Sequence, residues 1–474
     1  TLQGKRFFFF FLEAKNALLA WTDTLVAEAT AGRLQPGARG GGLLGPVFTD
    51  SRQRCDNGIF VALRGENHDA HDFLGQAVTN GAVCLVVDHL PAQLPGREVS
   101  MIVVADTQRA LGDMAGYRRR RLSLLEAQKV IGITGSCGKT TVKEMVTAIL
   151  ARKWPPGPEQ PEETVLKTKG NFNNLIGLPL SLLPLAGNHR AAVLEMGMNR
   201  SGELSRLGEI ADPDISCITN IHAAHLEGLG TIEGVARAKA ELFTATNPSG
   251  TLIVNLDDPW VGKIVEPYEQ NRLTFALSGE RMVNKPDFWA ADIFCDAAGV
   301  ITFTMHHRQD TVAIHLFTAG EHNVANALAA AAICSAAGAG LVEIAAGLGD
   351  YRAPAKRMEM LRSTFGFTIL NDTYNANPAS MAAGLRTLRQ LAGKKAVAII
   401  GDMRELGATS AQAHYAIGSL LVELAIDYVG IVGEFKDEVE KGAVASGLAG
   451  ERIHAFAAKD EAVAWIKDMV AVKK

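Results

Sequence analysis

The sequence predicts an α/β protein of three domains: a small N-terminal α/β domain, a central P-loop-type domain with a mostly parallel sheet, and a C-terminal Rossmann-like doubly wound domain. Three observations lead there. Short apolar runs alternate with amphipathic stretches along most of the chain, a pattern that favours parallel sheets covered by helices. A glycine-rich turn joins an apolar strand to a helix at 133–141. A second series of strands and helices begins near Gly320. The 474 residues suit about three domains, with boundaries expected at 1–107, 108–318 and 319–474.

The first domain alternates apolar runs with turns, as in Gly58–Leu63 and Val83–Val87. Ahead of it, Lys5 and Arg6 precede Phe7–Phe11 and Leu12, which looks like the start of a signal sequence. Glu13, Lys15 and Asn16 interrupt that run, leaving it short of a signal core and of a membrane span. Charged residues make up 21% and apolar residues 47%, with a net charge of −4. That balance argues against nucleic acid and against stable association with anionic membranes. The six cysteines form no C-x-x-C pair, so neither a zinc site nor a disulfide framework is expected, which fits a reducing cytoplasm.

A helix near 108–121 leads into the central strand Lys129–Ile133. Beyond the turn, Val142, Met145, Val146, Ile149 and Leu150 mark one apolar helical face. Backbone N–H groups at a strand-to-helix turn converge on one concavity, and the helix dipole adds positive charge there. Gly135 and Gly138 let the main chain approach an anion, with Ser136 between them. Lys139 can reach outer phosphates, and the hydroxyls of Thr140 and Thr141 follow, the first suited to a magnesium ion. A nucleotide triphosphate site follows from these residues, although Ile133 stands where the strict Walker pattern has glycine. Cys137 reads as a bystander.

Further strands are expected at 192–194, 215–218 and 251–254. Glu195 stands at the end of the first, either as a capping or solvated carboxylate or at the ligand edge of the sheet. Asn220, His222 and His225 follow the second, and a strand-end histidine there suits magnesium or phosphate. Asn171, Asn173 and Asn174 lie in a loop, where they serve either a turn or a phosphate or acyl oxygen. Lys239 reads as a surface lysine on a helix, paired with an acid. In the third domain, strands are expected at 368–370, 396–400 and 428–432. Asn323 and Asn326 share a helical face there. Arg357, Asp372 and Tyr374 flank the first of those strands and can reach across a cleft. The segment 154–161 reads as a proline-rich loop.

Gly135–Thr141 resembles the nucleotide loop of the Mur ligase family. Gly170–Asn174 with Ile176–Pro179, Ala223–Gly228, Tyr374–Pro378 and Gly401–Met403 resemble its branch that adds D-alanyl-D-alanine. Thr49–Arg52, Phe60–Leu63 and His71–Phe73 resemble that branch's UDP-substrate domain, and the likeness runs from about residue 25 to the end of the sequence. The D-N-P-R segment typical of the diaminopimelate-adding branch is absent from the third domain. The resemblance implies an ATP-dependent amide ligase, monomeric and cytoplasmic, acting on a UDP-N-acetylmuramoyl-tripeptide and D-alanyl-D-alanine. It implies Lys139 on the β- and γ-phosphates, Thr140 and Glu195 on one Mg2+, and His225 with a carbamylated Lys239 near a second. It implies Asn326, Arg357, Asp372 and Tyr374 as nucleotide contacts, Thr49, Ser51 and Arg52 as UDP contacts, and the three loop asparagines as substrate contacts. Ala240 and Arg404 depart from the family pattern, at positions expected to lie clear of the chemistry.

Two rival readings remain. Asn284–Asp287 matches a guanine-reading N-K-x-D, but no D-x-x-G lies between the loop and that stretch. Another amide ligase of the same family, such as a folate polyglutamylating enzyme, is opposed by the UDP-domain motifs.

Overall fold

A computed structural model describes residues 20–39, 41–93, 96–124, 128–157, 162–279, 285–393 and 395–471. The phenylalanine run, residues 158–161 of the proline-rich loop and Asn284 lie outside them.

The N-terminal unit is a five-stranded sheet in the order 33–35, 100–103, 82–87, 58–61, 47–48. All its pairings are parallel except the one between 33–35 and 100–103. The helix Thr107–Ser123 then crosses to the central unit. Its apolar positions Ala110, Leu111, Met114 and Leu122 belong to one core shared by Val26 and Ile102 on one side and Leu207 and Phe243 on the other. Burying side chains of this size contributes about 1.5–3 kcal/mol each, so the first two units are joined by packing as well as by chain.

The central sheet has nine strands, in the order 310–316, 301–307, 288–295, 271–276, 251–255, 215–218, 129–134, 191–195, 165–167. It is parallel from 165–167 through 288–295 and closes with two antiparallel strands. The expected strands at 192–194, 215–218 and 251–254 all fall here. Strands 129–134 and 191–195 end side by side, which sets the glycine turn next to Glu195. The helix Lys139–Lys153 buries all five expected apolar positions.

The start of the third unit differs from the expectation at 319. The helix Glu321–Ala336 is buried nearly all round, and with Leu341–Asp350 it packs on the central sheet and on helix Lys139–Lys153. A helix rich in alanine has small side chains on every face, so two layers can close over it. Asn323 and Asn326 therefore belong to the central unit. The strand expected at 368–370 also differs: it pairs antiparallel with 359–362 as a separate ribbon. The three-stranded parallel sheet is formed by 397–400, 428–432 and 453–456, with its own core around Leu385, Leu421 and Val429.

Candidate active site

The phosphate loop is shaped by two glycines and braced from the neighbouring strand end. Gly135 has φ +151°, and a Cβ there would lie 1.9 Å from the Thr219 hydroxyl; Gly138 has φ +84°, and a Cβ would lie 2.4 Å from Asn326 Oδ1. An L side chain fits neither the space nor the backbone conformation. Asn220 accepts from the Ser136 N–H through its carbonyl, at 3.0 Å, and from the Cys137 N–H through Oδ1, at 2.8 Å. Ser136 Oγ accepts from the His222 N–H at 2.9 Å. The strand-end asparagine and His222 thus hold the loop in shape. Burial pushes the His222 imidazole below its usual range.

Lys139, the first residue of its helix, folds back so that Nζ donates to the Gly135 carbonyl at 2.7 Å. Its ammonium therefore hangs over the concavity lined by the turn's amides. Thr140 Oγ1 donates to Glu195 Oε2 at 2.7 Å, and Asn173 Nδ2 donates to Oε1 at 2.9 Å. Thr168 Oγ1 accepts from the Glu195 N–H at 3.0 Å. Glu195 is 3% exposed and, among the described residues, forms no ion pair. A buried carboxylate without a cation is costly, so this pair of hard oxygen donors fits a magnesium ion.

Lys239 is not the surface residue of the first reading: it is 1% exposed. Valine, alanine, leucine and phenylalanine positions on helix Ile232–Thr244 face the core, and Lys239 shares that face. Burial drives its ammonium pKa well below the usual range, the Lys139 charge pushes the same way, and the Cys137 thiol opposes. Cys137 is more than a bystander: its Sγ lies 3.2 Å from Asn377 Nδ2. Asn377 caps the helix Pro378–Leu391, so the positive end of that helix meets the phosphate loop.

A cleft of about 850 Å³ lies between the central unit and the third; Lys239 is not among the residues that line it. Glu195, His225, Asn171, Asn173, Asn174, Asn326, Arg357, Asp372 and Tyr374 all line it, as do Ser136 through Thr141. Arg357 stacks 4.0 Å above the Tyr374 ring. Burial raises the Asp372 pKa, against the Met358 N–H that donates to it and the Arg357 charge. Arg404 also lines the cleft, contrary to expectation, because the loop 401–407 turns towards His225. Thr49, Ser51 and Arg52 do not line it. They follow the strand Val47–Phe48 in the N-terminal unit, where Ser51 donates to Gln76 and Arg52 forms an exposed bidentate pair with Asp50. Hydrogen bonds from Arg52 hold the Asp50 carboxyl down at about 2. Of the N-K-x-D stretch, Asp287 accepts from the N–H and hydroxyl of Thr274, an anchor within the sheet.

Thr168, Asn377 and Glu405 receive no role of their own from sequence, although Asn377 lies within Tyr374–Pro378. Asn377 carried a local signal, asparagine before proline at a helix start. Glu405 lies in 401–407, a polar segment after a strand that reads as able to reach across a cleft, but neither its partner 180 positions away nor that of Thr168, 27 away, is signalled.

A glycine-rich strand-to-helix turn beside a buried carboxylate, facing a third unit with its own core across a cleft, fits a nucleotide-dependent α/β enzyme. Residues 133–334 match the Mur ligase middle domain, and residues 356–473 match the Mur ligase glutamate ligase domain. The UDP-N-acetylmuramoyl-tripeptide–D-alanyl-D-alanine ligase of Escherichia coli is 36% identical over 430 residues, covering 90% of this chain and 88% of that one. The enzyme of the same name from Haemophilus influenzae is 35% identical over 428 residues, covering 90% and 86%. A crystal structure of MurF from Acinetobacter baumannii superposes with a TM-score of 0.85 at 34% identity, covering 96% of this chain and 93% of that one. The MurF ligase of Thermotoga maritima, solved in complex with ADP, gives 0.71 at 26% identity, covering 87% and 93%. The chain belongs to the Mur ligase family.

Proposed function

We propose that this enzyme joins D-alanyl-D-alanine to a UDP-N-acetylmuramoyl-tripeptide at the expense of ATP, through an acyl phosphate, in peptidoglycan precursor synthesis. The observation that carries the reading is the phosphate loop with Lys139 and Glu195 at the floor of a cleft that a third unit closes. Relatives of that activity match along 90% of the chain.

A carboxylate resists attack by an amine because oxide would have to leave. In the proposed first step, an oxygen of the tripeptide's terminal carboxylate bonds to the γ-phosphorus of ATP, and the bond from that phosphorus to the ADP oxygen breaks. In the second, the amine of D-alanyl-D-alanine attacks the acyl carbon, phosphate leaves with the former carboxylate oxygen, and the amine loses a proton. Lys139 and the turn's amides offset negative charge on the transferring phosphoryl group. Thr140 and Glu195 would hold Mg2+, which supplies further charge neutralisation when bound. In this reading His225 and Lys239, both close enough to Lys139 to feel its charge, serve a second ion, for which a carbamylated Lys239 would supply an anionic ligand. Asn171, Asn173 and Asn174 orient the acyl end, with Asn173 also fixing Glu195. Asn326, Arg357, Asp372 and Tyr374 grip the nucleotide. Thr49, Ser51 and Arg52 bind the UDP moiety, for which Arg52 exchanges its exposed pairing with Asp50, an interaction worth about 0–1 kcal/mol. Closure of the third unit excludes water that would hydrolyse the acyl phosphate.

The enzyme acts in the cytoplasm and as a monomer in this reading. Its cysteines are free, and no helix among the described residues is long and apolar enough to cross a membrane. The test is phosphate release from ATP. It is expected only when the UDP-tripeptide and D-alanyl-D-alanine are both present; release driven equally by GTP, or by a folate and glutamate, would refute the assignment.

A further inference from the structure

One buried charge beside the active centre has no part in the chemistry described so far. Lys143 stands one turn after Lys139 on the helix Lys139–Lys153, yet it is 1% exposed. Lysine is almost never buried so fully unless it is paired. Its Nζ donates to the Thr168 carbonyl at 2.9 Å and lies 3.0 Å from Glu144 Oε1. The other oxygen of Glu144 accepts from Lys167 Nζ at 2.7 Å. The chain at 167–168 is thus tied to the helix twice.

Thr168 follows strand 165–167 and opens the loop that carries Asn171, Asn173 and Asn174. It is fully buried. Its N–H donates to the Val193 carbonyl at 3.0 Å, and its Oγ1 accepts from the Glu195 N–H at 3.0 Å. Further along the loop, Asn173 Nδ2 donates to Glu195 Oε1 at 2.9 Å, and the Asn173 carbonyl accepts from the Gly197 N–H at 2.9 Å. The segment 168–173 therefore grips Glu195 by its main chain and by one carboxylate oxygen, which leaves Oε2 facing the Thr140 hydroxyl. Lys143 pins the point where that segment starts.

We propose that Lys143 is a positioning residue for the cation site: by holding the Thr168 carbonyl, it fixes the segment that aims the Glu195 carboxylate at an ion beside Thr140. Lys143 does not line the cleft, so it acts through Thr168 and Asn173. Replacing a buried ion by a well-packed apolar side chain is often neutral or stabilising, so stability alone does not account for a lysine at this place. Groups behind a metal ligand orient it, and their loss costs about 10- to 100-fold in metal affinity. The inference rests on the reading of Thr140 and Glu195 as a magnesium site.

The test uses the full chain as wild type, Lys143→Met, Thr168→Val and Glu144→Gln. Methionine keeps the length of the side chain and removes the donor. Mn2+ binding in the presence of a non-hydrolysable ATP analogue, read by electron paramagnetic resonance, is expected to weaken about 10-fold or more in Lys143→Met, and to weaken in Thr168→Val as well. In Lys143→Met, ligation lost at low Mg2+ is expected to return as Mg2+ is raised, with the KM for D-alanyl-D-alanine unchanged. Glu144→Gln is expected to bind Mn2+ as wild type does, because it leaves the bond from Lys143 to the Thr168 carbonyl in place. Wild-type Mn2+ affinity in Lys143→Met, with or without a lowered melting temperature, overturns the proposal and leaves the ligase reading intact. An equal loss of affinity in Glu144→Gln also overturns it, since the ion pair would then carry the effect. A wild type that binds Mn2+ and fails to ligate refutes the ligase reading while the affinity comparison stands. Should Lys143→Met not fold, wild-type affinity in Thr168→Val overturns the proposal by itself.

Discussion

Lys139→Ala is expected to abolish ligation, lowering kcat/KM by at least about a hundredfold, the scale on which a single group aimed at developing charge contributes. The reasoning is geometric. Lys139 Nζ is bonded to the Gly135 carbonyl inside the concavity, so its charge stands where the β- and γ-phosphates lie in the proposed pose. No other lysine lines the cleft among the described residues, and the nearby Arg357 is occupied with the Tyr374 ring. Fold stability should barely change, because Lys139 is half-buried and loses one hydrogen bond, worth about 0.5–1.5 kcal/mol. Thermal unfolding and steady-state ligation on the same preparation check both halves. Turnover near the wild-type rate would remove Lys139 from the chemistry.

Lys239→Ala is expected to lose activity by about a hundredfold or more, on the same scale, and to regain a part of it with added formate, acetate or propionate. As an ammonium, Lys239 sits fully buried beside the Lys139 charge, and both effects drive it towards the neutral amine. A neutral amine is the form that attacks carbon dioxide. The resulting carbamate exchanges repulsion from Lys139 for attraction and gives the site an anion. The alanine variant leaves a cavity of the lysine's shape, into which a small carboxylate can bring that anion back. Rates with and without each acid, at fixed ionic strength, decide the matter. Full activity without any acid would eliminate the carbamate.

The parts of this molecule legible in its sequence are those set by neighbours along the chain. The strand 129–134, the turn and the helix Lys139–Lys153 follow from residues a few positions apart, and so does the Thr140 hydroxyl at the helix start. Glu195 at a strand end is legible from the run before it; that it is buried and bonded to Thr140, not solvated, comes from the neighbouring strand. What periodicity could not carry is packing partner. Asn326 reads as part of a third domain because an alanine helix has no preferred face; the central sheet claims it. Lys239 reads as exposed because lysine almost always is, yet it lies on the buried side of its helix. The strand at 368–371 has the composition of its parallel neighbours, and only the preceding ribbon strand 359–362 reveals its direction. Glu405 meets His225 across two units, a relation that no local pattern encodes.

The central claim is that a carboxylate is activated by phosphoryl transfer within the cleft above Lys139 and Glu195. It is tested most directly by labelling the terminal carboxylate of the UDP-tripeptide with 18O and weighing the inorganic phosphate released during ligation. One labelled oxygen per phosphate is expected, since the leaving phosphate carries off the oxygen that attacked ATP. Unlabelled phosphate alongside normal ligation would contradict the account.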